Sequence, residues 1–411
     1  MNLLVVFLVL VFAYSLLSGA LERSPLTGPI FFTSCGLLLP VVFPTLPVSV
    51  GGRSFFLHVA EVGLVLLLFT DASRTNGKML RQLGSLPVRL LSTGMLLTLA
   101  LGTVLARVVF PQLSWAEAGI LSAILAPTDA GLGQVIVSSL DVPTRIRQAL
   151  NVEAGLNDGL SVPFLMFFLA LVQEHGSEGG GLMKFMMEQL GYGAMIGAGI
   201  GGMGGMLIGW AHRRGWTAEA AQSLAVVALP LLCLLVSPHV GASMFIAAFM
   251  AGLLVQFGFP EVARHSAEFA EGWGQLLNFS VFFFFGFVVV RELGQITGAA
   301  VVYAVLSLTV IRLVPVAIAL WGTRLSRPTV VFMGWFGPRG LASLVLALVY
   351  LEEETRAGGE STVRLAVMVT VLLSIFLHGI SAQPGIRLYA RSLAQLPASA
   401  PEHQDEVVAT R

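Results

Sequence analysis

Cysteine is nearly absent from the chain. Cys35 and Cys233 are the only two, and each falls inside an apolar run. That excludes a disulfide framework and supplies neither a metal-binding nor a redox motif. Charge is also scarce: Lys and Arg total 23, Asp and Glu total 23, and together they make up 11% of 411 residues. A formal net charge of zero provides no global field for nucleic acid or an acidic partner. No glycine-rich phosphate loop followed by Lys and Ser or Thr occurs, so a nucleotide is not expected as a partner and transport would draw on a gradient. The seven histidines are scattered, and no nucleophile-base pair lies at depth, which speaks against an intramembrane enzyme. No cofactor is expected.

Apolar sequence is abundant. The chain is 56% hydrophobic with a mean hydropathy of +0.85, more than a water-soluble core could enclose. It reads as an all-α polytopic membrane protein, because backbone groups in lipid must be satisfied within each segment. Apolar segments of spanning length fall near 2–19, 28–47, 55–72, 86–109, 115–138, 146–173, 188–211, 218–236, 240–258, 273–290, 297–320, 328–351 and 362–386, about thirteen spans in all. The pair around Pro238 and His239 can also be read as one broken segment. Residues 1–19 resemble a signal peptide but have no basic residue ahead of the apolar run, so a retained first span is expected. Residues 392–411 lose the apolar period and read as a short disordered cytoplasmic tail.

Loop charges give an orientation. With the N-terminus outside, cytoplasmic loops carry Arg23, then Arg74, Lys78 and Arg81, then Arg145 and Arg147, then Arg213 and Arg214. The opposite loops hold acidic runs such as Glu352, Glu353 and Glu354. This positive-inside asymmetry predicts a multi-pass cell-membrane protein with its C-terminus cytoplasmic.

The most informative stretch runs from Trp115 to Phe167. There Pro127-Thr128-Asp129 interrupts one apolar segment, and Glu153, Asn157 and Asp158 occupy the first half of the next. Each carboxylate at membrane depth costs roughly 2.5 to 3.5 kcal/mol on insertion scales, so a cluster of them marks an ion site. The twelfth span carries Gly337-Pro338-Arg339-Gly340, in the place corresponding to the break of the fifth. Paired discontinuous helices in matching halves point to an inverted-repeat transporter with its site at the bilayer midplane.

Helical spacing assigns candidate roles. Asn157 follows Glu153 by four residues and shares its face, whereas Asp158 is turned about 100° from Asn157 and shares a face with Ala154 and Ser161. Asp158 can hold a cation as an anion and take a proton when the cation leaves. Freed carbonyls at Pro127-Thr128, the Thr128 hydroxyl and the Asn157 amide oxygen can complete the shell. Asp129 suits an N-cap more than a ligand. Gly155 and Gly159 form a strip that admits another helix, with the broken fifth span as the candidate partner. Arg339 requires an anion at depth, and Glu153 is the best candidate. Arg312 either neutralises carbonyl ends of a broken helix or snorkels to the interface. Glu61 and Asp71 of the third span are accessory candidates for an ion funnel, or interfacial charges. Asn278 and Phe282 to Phe285 read as packing rather than a binding box.

Thr128-Asp129, then Glu153-Ala154-Gly155-Leu156-Asn157-Asp158, then Gly337-Pro338-Arg339-Gly340 together resemble the cation:proton antiporter superfamily, in its electroneutral bacterial and archaeal sodium/proton branch. The resemblance covers residues ~1–390 in span number and motif order and implies two inverted repeats with crossing discontinuous helices. It implies a homodimer in membrane lipid, with a dimerisation panel (1–72 and 218–290), a moving core (86–173 and 297–386) and a linker helix (188–211). It implies exchange of Na⁺ for H⁺ at Asp158, with Thr128 near the ion and Glu153 paired with Arg339. Asn157 stands where electrogenic relatives have a second Asp, which implies one cation per proton. Two departures stand out: Ala154 replaces the usual Ser, leaving Na⁺, K⁺ and Li⁺ open, and Ala130 replaces a Pro. Ser161 lies about two turns from the missing hydroxyl, on the same face. A K⁺/H⁺ antiporter or a solute carrier of the same fold is the alternative, and a passive cation channel a more distant one.

Overall fold

The computed structural model describes residues 3–21, 26–43, 52–74, 86–174, 184, 187–262, 273–352, 358–397 and 399–403. Among these the chain is helical, with no strands. Three helices open it: α1 (Leu3–Leu21), α2 (Gly28–Val42) and α3 (Gly52–Arg74). The fourth is α4 (Leu86–Val109), and the fifth span divides into α5 (Trp115–Leu125) and α6 (Ala130–Val137). Then come α7 (Thr144–Glu174), α8 (Met187–Arg213), α9 (Glu219–Val236), α10 (Met244–Gly258) and α11 (Gln275–Glu292). The eleventh span divides into α12 (Gly298–Leu308) and α13 (Val310–Ala319), and the twelfth into α14 (Arg327–Trp335) and α15 (Leu341–Glu352). Helix α16 (Glu360–Leu393) closes the bundle. Eight helical segments among the described residues are long and apolar enough to cross a membrane, and four shorter apolar helices accompany them.

The breaks have local causes. Helix α5 starts at a capping box, with Ser114 accepting from the Glu117 N–H while the Glu117 carboxylate accepts from the Ser114 N–H. It ends at Ala126, because Pro127 lacks the N–H that a further helical hydrogen bond would need. Helix α14 begins at the Ser326 cap and stops at Phe336, ahead of Gly337 and Pro338. Between α9 and α10, a 3-10 turn (Ser237–Val240) and Gly241 at φ +68° produce two helices, which decides between the two readings of the Pro238 region. The break of the eleventh span at Thr309 (φ −116°, ψ −90°) has no Pro or Gly to announce it.

Helices pack where side chains are missing. A methyl group on Gly36 would lie 2.1 Å from the Phe283 carbonyl oxygen, and one on Gly286 would lie 2.2 Å from that of Thr33, so α2 and α11 meet backbone to backbone. The Gly155 and Gly159 strip of α7 meets Asp71 of α3 and Phe249 of α10, rather than the broken fifth span. Spacing specifies the face a strip occupies, not the neighbour across it.

The C-terminal segment departs from expectation in its first half. Leu393, Ala400 and Glu402 are buried, and the Glu402 carboxylate accepts from the Ser326 N–H (2.7 Å) and the Thr329 hydroxyl (2.8 Å). Residues 392–403 therefore fold back onto the start of α14, because a carboxylate at an open helix N-terminus satisfies donors that the helix leaves unpaired. Residues 404–411 lie outside the described residues.

Candidate functional site

The two interrupted spans cross at their breaks. The Asp129 N–H donates to the Pro338 carbonyl at 2.8 Å, joining one unwound stretch to the other. Crossing brings together two positive helix N-termini, those of α6 and α15, and two negative C-termini, those of α5 and α14.

One carboxylate serves both N-termini. Asp129 Oδ1 accepts from the Leu132 N–H of α6 at 3.0 Å, and Oδ2 accepts from the Leu341 N–H of α15 at 2.6 Å. Its whole hydrogen-bonding capacity toward the backbone is directed at the half-helices, as the capping preference of Asp suggested. A methyl group on Gly340 would lie 2.0 Å from Asp129 Oδ2, so this contact depends on a glycine there.

The negative end of α5 is met by Arg339. Its guanidinium donates through Nη1 to the carbonyls of Ala126 (2.7 Å) and Pro127 (2.9 Å), and the residue is 0% exposed. The expected Arg339–Glu153 ion pair is not what forms. Glu153 is paired with Arg312: Nη2 donates to Oε2 at 2.8 Å, and Nη1 donates to Oε1. Arg312 is buried in α13, and its guanidinium packs over Gly337 at the end of α14, so it does not snorkel to the interface. The physical reason is the supply of acceptors: the unwound carbonyls of Ala126 and Pro127 engage Nη1 of Arg339, and the bidentate carboxylate goes to the second guanidinium.

Asn157 and Thr128 are joined reciprocally. The Asn157 amide donates to the Thr128 hydroxyl at 2.7 Å, and its oxygen accepts the Thr128 N–H at 3.2 Å. The amide oxygen therefore holds the unwound backbone and is not turned to a common point with Thr128. Ser161 donates to the carbonyl of Asp158 at 2.7 Å, so its hydroxyl is committed to the helix backbone.

Asp158 lines a cavity of about 390 Å³ that also reaches Asp71, Asp129, Arg74, Gln275 and Asn278. It is 4% exposed, and its Oδ1 has no hydrogen-bond partner among the described residues. Asp71 thus faces the cavity, whereas Glu61 does not line it. Asn278, read from the sequence as packing, contributes to the cavity wall from α11; its signal was an amide one helical turn from Gln275 and Gly274. A second, enclosed space of about 20 Å³, enough for one water, lies between Thr128, Asp129, Glu153, Ala154 and Pro338. Among the described residues no group of three or more His, Cys, Asp or Glu is placed to hold a resident metal ion.

A membrane bundle with two crossed, interrupted helices and a buried carboxylate at the crossing is the architecture of a secondary transporter. The chain belongs to the sodium/hydrogen exchanger family, whose transmembrane region matches residues 6–387. Membership makes it a monovalent cation/proton antiporter, a transporter and not an enzyme.

A Na⁺/H⁺ antiporter of Schizosaccharomyces pombe is 24% identical over 90% of this chain and 85% of its own length. The K⁺/H⁺ antiporter NhaP of Alkalimonas amylolytica is 25% identical over 71% of this chain, which spans only 50% of that relative. The solved sodium proton antiporter MjNhaP1 of Methanocaldococcus jannaschii shares the fold, with a TM-score of 0.76 at 18% identity over 96% of this chain and 99% of that one.

Proposed function

We propose that this antiporter exchanges Na⁺ for H⁺ by competition at Asp158. The observation that carries the reading is an uncommitted, buried carboxylate oxygen on a residue that lines the 390 Å³ cavity. The other carboxylate and amide at the crossing are engaged: Asp129 accepts from two helix ends, and Asn157 is joined to Thr128 through its hydroxyl and its N–H. Asp158 is the group left to alternate between a cation and a proton. Asp71 supplies a second acidic group on the path, and Thr128 and Asp129 set the wall beside the ion.

The cavity reaches Arg74 and Ser138, which the positive-inside asymmetry assigns to the cytoplasm, so this is the inward-open arrangement with the N-terminus outside. Panel helices α1–α3 and α9–α11 would stay fixed, and α4–α7 with α12–α16 would move as the core, joined to the panel by the linker helix α8. The glycine strip of α7 against Asp71 and Phe249 is the sliding surface this division requires. Two copies would associate through the panel within lipid, which cross-linking in native membranes checks.

Neutral Asn157 leaves one titrating carboxylate for one cation, so exchange is electroneutral. A potassium reading is favoured by one feature: Ala154 supplies no hydroxyl, and the adjoining 20 Å³ space is large enough for one water in its place. Proton efflux driven in turn by Na⁺, K⁺ and Li⁺ in one vesicle preparation separates the cations. Asp158→Asn should abolish exchange with each of them; retained exchange would refute the site.

A further inference from the structure

The twelfth span is interrupted over residues 336–340, and those residues carry both the Arg339 and the Pro338 contacts to the fifth. Something must hold so short a piece of unwound backbone in register, because neither half-helix fixes it. The neighbouring helix α16 presents Ser374, His378 and Ser381 at spacing i, i+4 and i+7, a polar line on one face of the helix.

Each member of that line touches the break. The Ser374 hydroxyl accepts from the Arg339 N–H at 2.6 Å. His378 Nε2 lies 2.9 Å from the Trp335 carbonyl at the end of α14, which also accepts from the Gly337 N–H at 2.9 Å, and Nδ1 lies 3.2 Å from the Ser374 hydroxyl. The Trp335 indole N–H donates to the Ser381 hydroxyl at 3.0 Å, and the Trp335 and His378 rings lie 5.1 Å apart. Ser374 is 0% exposed and His378 2%, so no water competes for these bonds.

Nδ1 also lies 3.0 Å from the Ser374 carbonyl, so no single neutral tautomer pairs every contact, and the one that reaches across to α14 carries its hydrogen on Nε2. With hydrogen on Nε2, the ring donates to Trp335, while Nδ1 accepts from Ser374, whose oxygen is already taken by the Arg339 N–H. The chain of bonds runs from the end of α14 through α16 to the backbone of Arg339. From there the guanidinium reaches the carbonyls that precede Thr128. We propose that Ser374 and His378 are positioning residues of the exchange site: a splint that fixes the break of the twelfth span and thereby the distance of Thr128 and Asp129 from Asp158.

This rests on the assignment of Asp158 made above. The test is cation-dependent proton efflux by the full-length chain in proteoliposomes at fixed pH, with Na⁺ as the probe. His378→Ala should raise the KM for Na⁺ about tenfold, the equivalent of one buried hydrogen bond, with the maximal rate changing far less. Gln places an amide N–H₂ where Nε2 stands, and Asn places one where Nδ1 stands. His378→Gln should therefore restore the KM to near its native value and His378→Asn should not. Ser374→Ala, which leaves the ring in place, should raise the KM in the same direction.

Gln and Asn variants with equal KM values, or a fall in maximal rate with KM unchanged, would overturn the splint. The Gln–Asn comparison decides the matter even where the Ala variant fails to fold. Exchange by Asp158→Asn would sink the site itself, whereas an inactive Asp158→Asn alongside indistinguishable Gln and Asn variants would sink the splint alone.

Discussion

Replacing Arg312 by Met tests the arrangement of buried charge most directly. Glu153 is 2% exposed and accepts from both Nη atoms of Arg312, so the substitution leaves a buried carboxylate with its main partner gone. Removing one member of a buried pair costs about 3–5 kcal/mol, most of it the penalty of the charge left behind. Neutralising that charge as well should recover the greater part. The double variant Glu153→Gln/Arg312→Met is expected to lie within about 1–2 kcal/mol of the native protein, giving a coupling of at least about 2 kcal/mol.

The cycle between Glu153 and Arg339 should behave differently. Arg339→Met strands the carbonyls of Ala126 and Pro127, and nothing done at position 153 supplies them with a donor. Denaturation midpoints of the purified protein in one detergent, at one pH, measure both cycles. If Glu153→Gln rescues Arg339→Met and does not rescue Arg312→Met, the charge pairing described above is wrong.

Three further outcomes follow from individual contacts. Asp129→Asn retains one acceptor oxygen where the structure uses two, so one half-helix loses its cap; a stability loss of about 1–2 kcal/mol and weakened exchange are expected, read from unfolding midpoints and vesicle assays. Asn157→Asp keeps the Thr128 contacts but adds a charge beside Asp158, and should make exchange sensitive to an imposed membrane potential; insensitivity would mean that charge at this position does not set the stoichiometry. Glu402→Ala should cost about 1 kcal/mol at neutral pH by uncapping α14. Burial raises the Glu402 carboxyl, but the Ser326 N–H and Thr329 hydroxyl outweigh that and hold it below its ordinary value. Its contribution is therefore complete above the ordinary carboxylate range and lost as pH falls through the lower folded value, so the native and variant midpoints should converge in acid.

The two breaks were legible in the chain because they are covalent facts: Pro127 lacks an N–H, and Gly337-Pro338 cannot continue a helix. The depth of Asp158 was equally legible, since its neighbours are apolar over a full spanning length. The capping of α6 by Asp129 followed from its position just before a helix. That the same carboxylate also caps α15 did not, for Leu341 is 212 residues away. The partner of Glu153 was misread for a related reason. Helical phase gives the face of α7 on which Glu153 lies, but two arginines were available at depth, and only packing decides which one approaches. The break at Thr309 and the docking of Glu402 left no periodic or compositional mark.

The sequence by itself determined the solvent of this protein, the places where its helices must stop and the acid that cannot be there for stability. Those are properties of single residues and of local runs, which hydrophobicity and backbone chemistry dictate. The tertiary structure decided which charges meet, which oxygen of Asp158 remains uncommitted and which helix braces the twelfth span. Such matters depend on distances between segments hundreds of residues apart, and no local rule of propensity or spacing contains them.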